Sequence, residues 1–501
     1  MRRHVVYRDM DRPTFNSLTY LTTVRPHPLH KDPQIVDPYV YTALKDLIGR
    51  DPIEAFGRYT RSFYTLEGHY SNLWKYDKVI TPKPEDPLLD QAIEVTRRAF
   101  DIPPGVFSYG FNEFDKVPYI PSSSAGWGYV GKKGDADNHS IAKGRAHLNL
   151  MMWIEDQELL KHGAPRHELK HRYSPDMAWT RTQLASPEAP KIRHVWGKAF
   201  HNIILEGLSA APLIQYYQNK SKPMVVGIHL YKTLPMIIRN TLFDGERRRI
   251  GIGLDMSSFD TCPMPWLINT AFDIVKSNLV FKDWQSREAF EYTRHYFIET
   301  PVIMPDGRMW LKKLGVPSGS YYTQLVDSII NHIVVSYIQL KIWHETYDTY
   351  VLGDDSLFGI PDSWGYPDLD KIAEIVESIG FTLSKDKCII STNPTELEFL
   401  GHVAKGIRVD REWIKVLRMA LYPEREVTGP ELSLARVWGL LIDSALNNPA
   451  LIKLYEYMKF VLFKGCEPKE VPPEDSNWLR AVVGIDAKPK DFDLLKVWTL
   501  T

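Results

Sequence analysis

An α+β fold is predicted for this 501-residue chain, on three observations. From about residue 250, short apolar runs of strand length alternate with segments whose apolar residues recur at helical spacing. After about residue 420 only the helical period remains. The first half has weak periodicity, with proline, tyrosine and loop-forming clusters, and is locally basic. The length suits about three domains or one large composite fold.

Taken in order, residues 1–90 read as an extended arm with short helices, and Pro82, Pro84 and Pro87 mark a loop. Pro103-Pro104-Gly105 and Pro121-Ser-Ser-Ser-Ala-Gly-Trp-Gly are further loops. Over 161–200, Lys161, Arg166, Lys170, Arg172, Arg181, Lys191, Arg193 and Lys198 face only Glu168, Asp176 and Glu188. Ile250–Leu254 is predicted as a strand, and Pro263 and Pro265 suit the opening turn of a helix. Tyr350–Leu352 and Ser356–Ile360 flank Gly353-Asp354-Asp355 as a tight hairpin. Leu369, Ile372, Ile375, Val376 and Ile379 mark a helix that Gly380 stops. Phe381–Leu383 and Cys388–Ser391 are expected as strands around a Lys385-Asp-Lys turn, and Leu397–Ala404 as another. Thr428-Gly-Pro-Glu431 is a capping-box candidate before Leu434, Val437 and Leu441. Asn448-Pro449 opens a last helix through Leu451, Leu454, Met458 and Leu462, ending at Gly465.

Composition narrows the function classes. With 44% hydrophobic, 12% aromatic and 25% charged residues, a large core forms, and wholesale disorder or a fibrous repeat is excluded. The 61 Lys+Arg nearly cancel the 62 Asp+Glu, so any nucleic acid must be held by local basic patches. Cys262, Cys388 and Cys466 have no pair spacing, against a disulfide framework or a cysteine zinc site. Met1-Arg-Arg-His-Val-Val-Tyr-Arg-Asp lacks the apolar run of a signal peptide. Val326–Trp343, the most apolar stretch, contains Asp327, Asn331, His332 and Lys341, which suits a buried helix better than a membrane span. The expectation is a soluble protein of the cytosol or of a particle interior.

Two acidic clusters carry chemistry: Leu254-Asp255-Met-Ser-Ser-Phe-Asp260 and Gly353-Asp354-Asp355. Singly, each reads as a strand end or a solvated turn. Together, two buried strands that each finish in carboxylates would set negative charges side by side, which is costly unless cations neutralise them. All-oxygen ligands favour Mg²⁺ or Mn²⁺. Asp260 lies five residues beyond Asp255, past a Ser-Ser turn, so a substrate hydroxyl is its expected partner. Between the clusters, Gly315-Val-Pro-Ser318-Gly319 runs into a helix on which Thr323 and Asp327 share a face. Lacking a side chain, Gly319 would let the loop approach a phosphate or sugar closely.

Asp255-x4-Asp260, Gly-x-Pro-Ser-Gly with Thr323 and Asp327, then Gly-Asp-Asp, in that order, resembles palm motifs A, B and C of viral RNA-dependent RNA polymerases. The intervals, 59 residues from Asp260 to Gly319 and 35 from Gly319 to Asp354, fit one palm. The wording looks like the partitivirus-type enzymes of small segmented double-stranded RNA viruses, most strongly over about 250–404. Lys191-Ile-Arg193-His-Val-Trp-Gly197-Lys198 resembles motif F, over the incoming nucleotide, where basic groups balance a triphosphate. Lys387 matches the motif D lysine, with Lys385 as its rival. Leu397-Glu-Phe-Leu-Gly401 resembles the primer grip of motif E. Gly126-Trp-Gly-Tyr-Val-Gly131-Lys132-Lys133 nearly spells a P-loop, but Lys133 stands where a Ser or Thr would bind Mg²⁺. Contact with template phosphates, the place of motif G, is the better reading.

The resemblance implies a right hand of fingers, palm and thumb. Residues 1–245 would form the arm and fingers, 246–271 and 313–418 the palm, 272–312 a fingers insertion, and 419–501 the thumb and C-terminal segment. It implies template-directed RNA synthesis in replication and transcription of a viral genome. Asp255 and Asp354 would hold two Mg²⁺, or Mn²⁺ as substitute, with Asp355 assisting and Lys387 giving a proton to pyrophosphate. Lys191, Arg193 and Lys198 would meet the triphosphate. Asp260, Ser318, Gly319, Thr323 and Asp327 would surround the sugar. Many plus-strand viral polymerases carry Asn in place of Asp327, and an amide donates a hydrogen bond where a carboxylate cannot. The partners implied are template and nascent RNA, ribonucleoside triphosphates and a viral capsid protein, without a membrane. The place implied is the host cytoplasm, in or beside the particle. A reverse transcriptase shares the palm, and a non-catalytic RNA-binding subunit with a retained palm is the other alternative. Glu467–Asp475 reads as a surface loop before a support for the first nucleotide.

Overall fold

The computed structural model describes residues 15–27, 35–163 and 173–469, apart from residues 219, 221 and 229. Arg166, Lys170 and Arg172 of the basic run, the first 14 residues and the part of Glu467–Asp475 beyond Lys469 lie outside the described residues.

The strands used below are β1 (Leu18–Thr23), β2 (Asp176–Gln183), β3 (Lys191–Gly197), β4 (Arg247–Gly253), β5 (Thr300–Ile303), β6 (Arg308–Lys312), β7 (Thr349–Leu352), β8 (Asp355–Pro361) and β9 (Ile389–Ser391). The helices are α1 (Pro38–Ile48), α2 (Pro87–Ala99), α3 (Phe200–Tyr217), α4 (Pro265–Ser277), α5 (Trp284–Ile298), α6 (Thr323–Trp343), α7 (Leu369–Glu377), α8 (Trp413–Leu421), α9 (Pro430–Asp443) and α10 (Pro449–Glu456).

The central sheet runs β7-β8-β4-β9, and each of these pairs is antiparallel. Alternation along β4 and β8 puts Ile252 opposite Phe358 and Ile250 opposite Ile360. These four side chains enter one core with Ile329, Ile330 and Ile333 of α6, Phe272 of α4 and Ile372 of α7. On the sheet's other side, glycine permits close cover. A Cβ at Gly359 would run into the Thr241 carbonyl, and one at Gly251 into Leu397. Helix α6 is long and apolar enough to cross a membrane, but 89% of its most apolar window is buried inside the molecule. It is the core helix expected from its interspersed polar residues.

Strands β7 and β8 meet as the predicted hairpin. Leu352 pairs with Asp355, and Gly353, at φ 62°, turns the chain. Asp354 is therefore the turn residue and Asp355 opens β8. A second sheet runs β1-β6-β5-β2-β3. Helix α5, between β4 and β5 in sequence, packs against α3.

Three expectations change. Residues 397–404 do not form one strand, because Leu400 (φ 52°) and Gly401 (φ 74°) reverse the chain; only Val403–Lys405 is extended, paired with Arg408–Asp410. Phe381–Leu383 is not a strand either: Leu383 makes a single bridge to Met256. The last-domain capping box is absent, since α9 starts at Pro430 and Gly429 takes the cap position, leaving Thr428 one residue too early. Residues 1–245 contribute side chains to more than one core. Val40, Ala43 and Leu44 of α1 share a core with Leu417 of α8, Leu434 of α9 and Leu454 of α10, while Leu89 and Ala92 of α2 join the central core. Apolar faces pack where the chain returns to them, whatever their distance in sequence.

Candidate active site

Three segments distant in sequence converge at one end of the central sheet. Strand β4 ends at Gly253, and Asp255 follows with its carbonyl accepting from the Ser384 amide at 2.8 Å. The hairpin β7–β8 brings Asp354 and Asp355 alongside. Its turn is held from α6: the Gly353 amide donates to Ser328 Oγ at 2.9 Å, and Asn331 Nδ2 donates to the Gly353 carbonyl at 3.0 Å. Neither residue is expected at the site from sequence: Asn331 reads only as a polar interruption of the apolar stretch and Ser328 is not marked at all, although polar residues three apart on an apolar helix are the available signal.

The electrostatics match this convergence. Asp355 is open to solvent on one side but crowded by protein elsewhere. Desolvation first, then Asp354 and Asp255, push its carboxyl up to about 7. Burial and Asp354 likewise raise Asp260, against its hydrogen bond from Ser318 Oγ and the attraction of Arg193. Asp327 is buried, and its Oδ1 has no hydrogen-bond partner. Burial, Asp260 and Asp354 hold it well above the usual carboxylate range. Burial and the neighbouring carboxylates thus work against its charged form.

The loop Gly315–Thr323 is fixed onto its neighbours by backbone bonds. The Val316 amide donates to the Asp260 carbonyl at 2.7 Å, and the Trp196 amide to the Ser318 carbonyl at 2.7 Å. Gly319 (φ 131°) is required here for a reason the sequence did not suggest: a Cβ would collide with the Trp196 carbonyl. Its bareness admits strand β3. Thr323 Oγ1 accepts from the Gly319 amide at 3.3 Å and donates to the Pro317 carbonyl at 3.2 Å, so it staples the loop internally.

On β3, alternation exposes Lys191 and Arg193 and buries Ile192, His194 and Trp196. Arg193 stands within electrostatic reach of both Asp260 and Asp355. Lys198 does not join this face. Its ammonium is wholly buried, 3.3 Å from Asp176 and 3.3 Å from Glu206. Two carboxylates occupy it, which removes it from the expected triphosphate contacts. Lys387 is exposed and lies 3.8 Å from Asp255, whereas its rival Lys385 pairs with Asp370.

In the Gly126–Lys133 segment, Lys133 Nζ donates to Ser123 Oγ at 2.6 Å and to the Ser124 carbonyl at 2.8 Å, which closes the loop on itself. A Cβ at Gly126 would strike the Lys198 carbonyl. Here glycine serves packing against the end of β3, and Lys132 remains exposed.

Comparison with known proteins agrees with this geometry. The family of viral RNA-dependent RNA polymerases matches residues 54–459. The RNA-directed RNA polymerase of White clover cryptic virus 1 is 23% identical over 313 residues, 56% of this chain and 51% of that protein. That of Cryptosporidium parvum virus 1 is 32% identical over 161 residues, 30% of this chain and 29% of that protein. The chain thus spans about half the length of the first of these relatives and less of the second. The solved Sicinivirus 3Dpol RNA-dependent RNA polymerase superposes with a TM-score of 0.68 at 13% identity, covering 94% of this chain and all of the other. The fold is the right hand of these polymerases. With four-fifths of its length matched and its three palm motifs meeting at one sheet end, the chain belongs to the viral RNA-dependent RNA polymerase family, on its partitivirus-like side.

Proposed function

We propose that this chain is an RNA-directed RNA polymerase that extends nascent RNA on an RNA template, joining ribonucleoside monophosphates from triphosphates and releasing pyrophosphate. The observation that carries the reading is that Asp255 and Asp354 both act electrostatically on Asp355, within reach of Arg193, while Asp354 also acts on the Ser318-bonded Asp260.

The residues fit divalent metal. Their donors are all carboxylate oxygens, and crowding already raises Asp355, so the site favours added positive charge. Among the described residues no three such side chains yet converge at ligand spacing. Asp255 and Asp354, with Asp355 assisting, would hold Mg²⁺ or Mn²⁺. When bound, such ions activate the attacking 3′-hydroxyl and stabilise the departing phosphate. The remaining work falls to side chains. Arg193 and Lys191 neutralise the triphosphate while leaving its phosphorus open. Asp260 and Ser318 bind the ribose 2′-hydroxyl, and Asp327 donates into the same pocket. Lys387, beside Asp255, supplies a proton to pyrophosphate.

The family context extends the proposal to replication and transcription of a viral genome in the host cytoplasm, within or beside the particle, with a capsid protein as neighbour. The deciding experiment is extension of a short RNA template with Mg²⁺ or Mn²⁺, comparing ribo- and deoxyribonucleotides. Asp354→Ala should lower incorporation by roughly 10³-fold or more with folding retained. Wild-type-like incorporation by that variant would remove the metal assignment, and preference for deoxyribonucleotides would turn the reading to a reverse transcriptase.

A further inference from the structure

Helix α3 carries one acidic residue, Glu206, in a run where Ile204, Leu205, Leu208, Ala210 and Ala211 are all buried. Glu206 is 2% exposed. One of its oxygens lies 3.3 Å from Lys198 Nζ, and the other accepts from the Tyr321 amide at 2.8 Å. Lys198 also faces Asp176, which accepts from the Tyr296 hydroxyl at 3.0 Å. A second buried lysine completes the group. Lys312 Nζ donates to the carbonyls of Phe297 at 2.9 Å, Ile298 at 3.0 Å and Gly315 at 2.7 Å. Burial works against this charge, but three acceptors match the three N–H donors of an ammonium, and a neutral amine has only two. Two of those carbonyls end α5, where a cation is favoured. Two lysines and two carboxylates are thus buried together, where desolvation works against the charge of Lys312, Asp176 and Glu206 alike.

Buried ion pairs are a poor way to gain stability, since apolar replacements of similar volume often do as well or better. What this quartet grips is specific. Lys312 holds the first residue of the Gly315–Thr323 loop by its carbonyl, and Glu206 holds the loop's far side by the Tyr321 amide. Between these two anchors lie Ser318 and its bond to Asp260.

We propose that Glu206 is a positioning residue: its bond to the Tyr321 amide, backed by Lys198, sets the Ser318–Asp260 pair and thereby the choice of ribose. This rests on the polymerase reading above. Glu206 touches no substrate and acts only through the loop.

The test compares Glu206→Ala, which removes the acceptor, with Glu206→Gln, which keeps an oxygen for Tyr321. Amide hydrogen exchange of residues 316–322 is read beside that of β4 and β8, and nucleotide KM, kcat and the ribo/deoxyribonucleotide ratio are measured on an RNA template. Glu206→Ala should exchange about tenfold faster in the loop alone, raise KM more than kcat falls, and lower the ratio about tenfold. Glu206→Gln should stay within about threefold of the parent on each. Parental loop exchange in Glu206→Ala, or equal loosening in Glu206→Gln, would overturn the proposal. If Glu206→Ala does not fold, Glu206→Asp keeps the charge and shortens the reach: fast loop exchange supports the role, and parental exchange refutes it. A parent that incorporates no nucleotide would sink the polymerase reading, while the exchange arm would still decide whether Glu206 holds the loop.

Discussion

At the scale of single residues, Asp327 carries the sharpest electrostatic conflict, a buried carboxyl facing two others. A carboxylate beside Asp260 and Asp354 would add charge where charge is already crowded. Burial resolves the conflict by favouring the protonated acid. Asp327→Asn, which keeps a donor and the volume, should retain incorporation within about threefold, while Asp327→Ala should raise nucleotide KM about tenfold. Steady-state kinetics on one template decides; an Asp327→Asn variant as impaired as Asp327→Ala would show that the charge is needed. The aspartates of this site were legible from the chain because their order and spacing are specific. Lys198 was not: its number placed it after Arg193 on a basic run, but only α3 and β2 supply the carboxylates that bury it.

At the scale of elements, the loop between β6 and α6 is a seam joining three parts of the site. Its residues bond to β3 by main chain, and to the segment after β4 both by main chain and by the Ser318–Asp260 side-chain pair. Gly319→Ala sets a Cβ against the Trp196 carbonyl at φ 131°, where L-residues are strained. It should cost about 1–3 kcal/mol in urea unfolding and raise nucleotide KM as Ser318 moves. Unchanged stability and KM would mean that the loop and β3 separate freely. The segment 397–404 shows the reverse case. Its apolar period suited a strand, but the turn at Leu400 and Gly401 is stabilised by contacts far away: His402 sits between the carbonyls of Leu400 at 2.7 Å and Asp443 at 2.7 Å.

At the scale of the whole molecule, α1 and α9, nearly four hundred residues apart, are tied together through Asp37. This buried carboxylate caps α1, accepting from the amides of Tyr39 at 3.0 Å and Val40 at 3.1 Å. It also receives Ser433 Oγ at 2.8 Å and pairs with Arg436. Asp37→Ala leaves Arg436 largely buried without its anion and should lower stability by about 3 kcal/mol, read by chemical denaturation. A loss below about 1 kcal/mol would show that the two segments are not coupled there. The carboxylate cluster sets a second global property. Asp355, raised to about 7, binds its proton more tightly in the folded than in the unfolded protein. Without divalent metal, its contribution is therefore most favourable in acid and is lost as pH rises through about 7. Melting curves of the metal-free protein should fall over that window, and Mg²⁺ should stabilise more at pH 8 than at pH 6. Equal Mg²⁺ effects at both would argue against Asp355 near the ion.

The chain alone determined the family and the acidic chemistry. Motifs A, B and C are local strings, and a string survives reading without a partner. Local signals likewise foretold the β4 strand, the β7–β8 hairpin from its Gly-Asp-Asp turn, α7 from its helical period, and α6, buried all round, from its long apolar run. The tertiary structure alone decided which bases remain free to meet a phosphate, why Gly319 is bare, and which cores the arm joins. Those outcomes depend on desolvation and close approach between separate elements, from Lys198 with Asp176 and Glu206 to Gly319 against Trp196, and such pairings exist only once the chain has closed on itself.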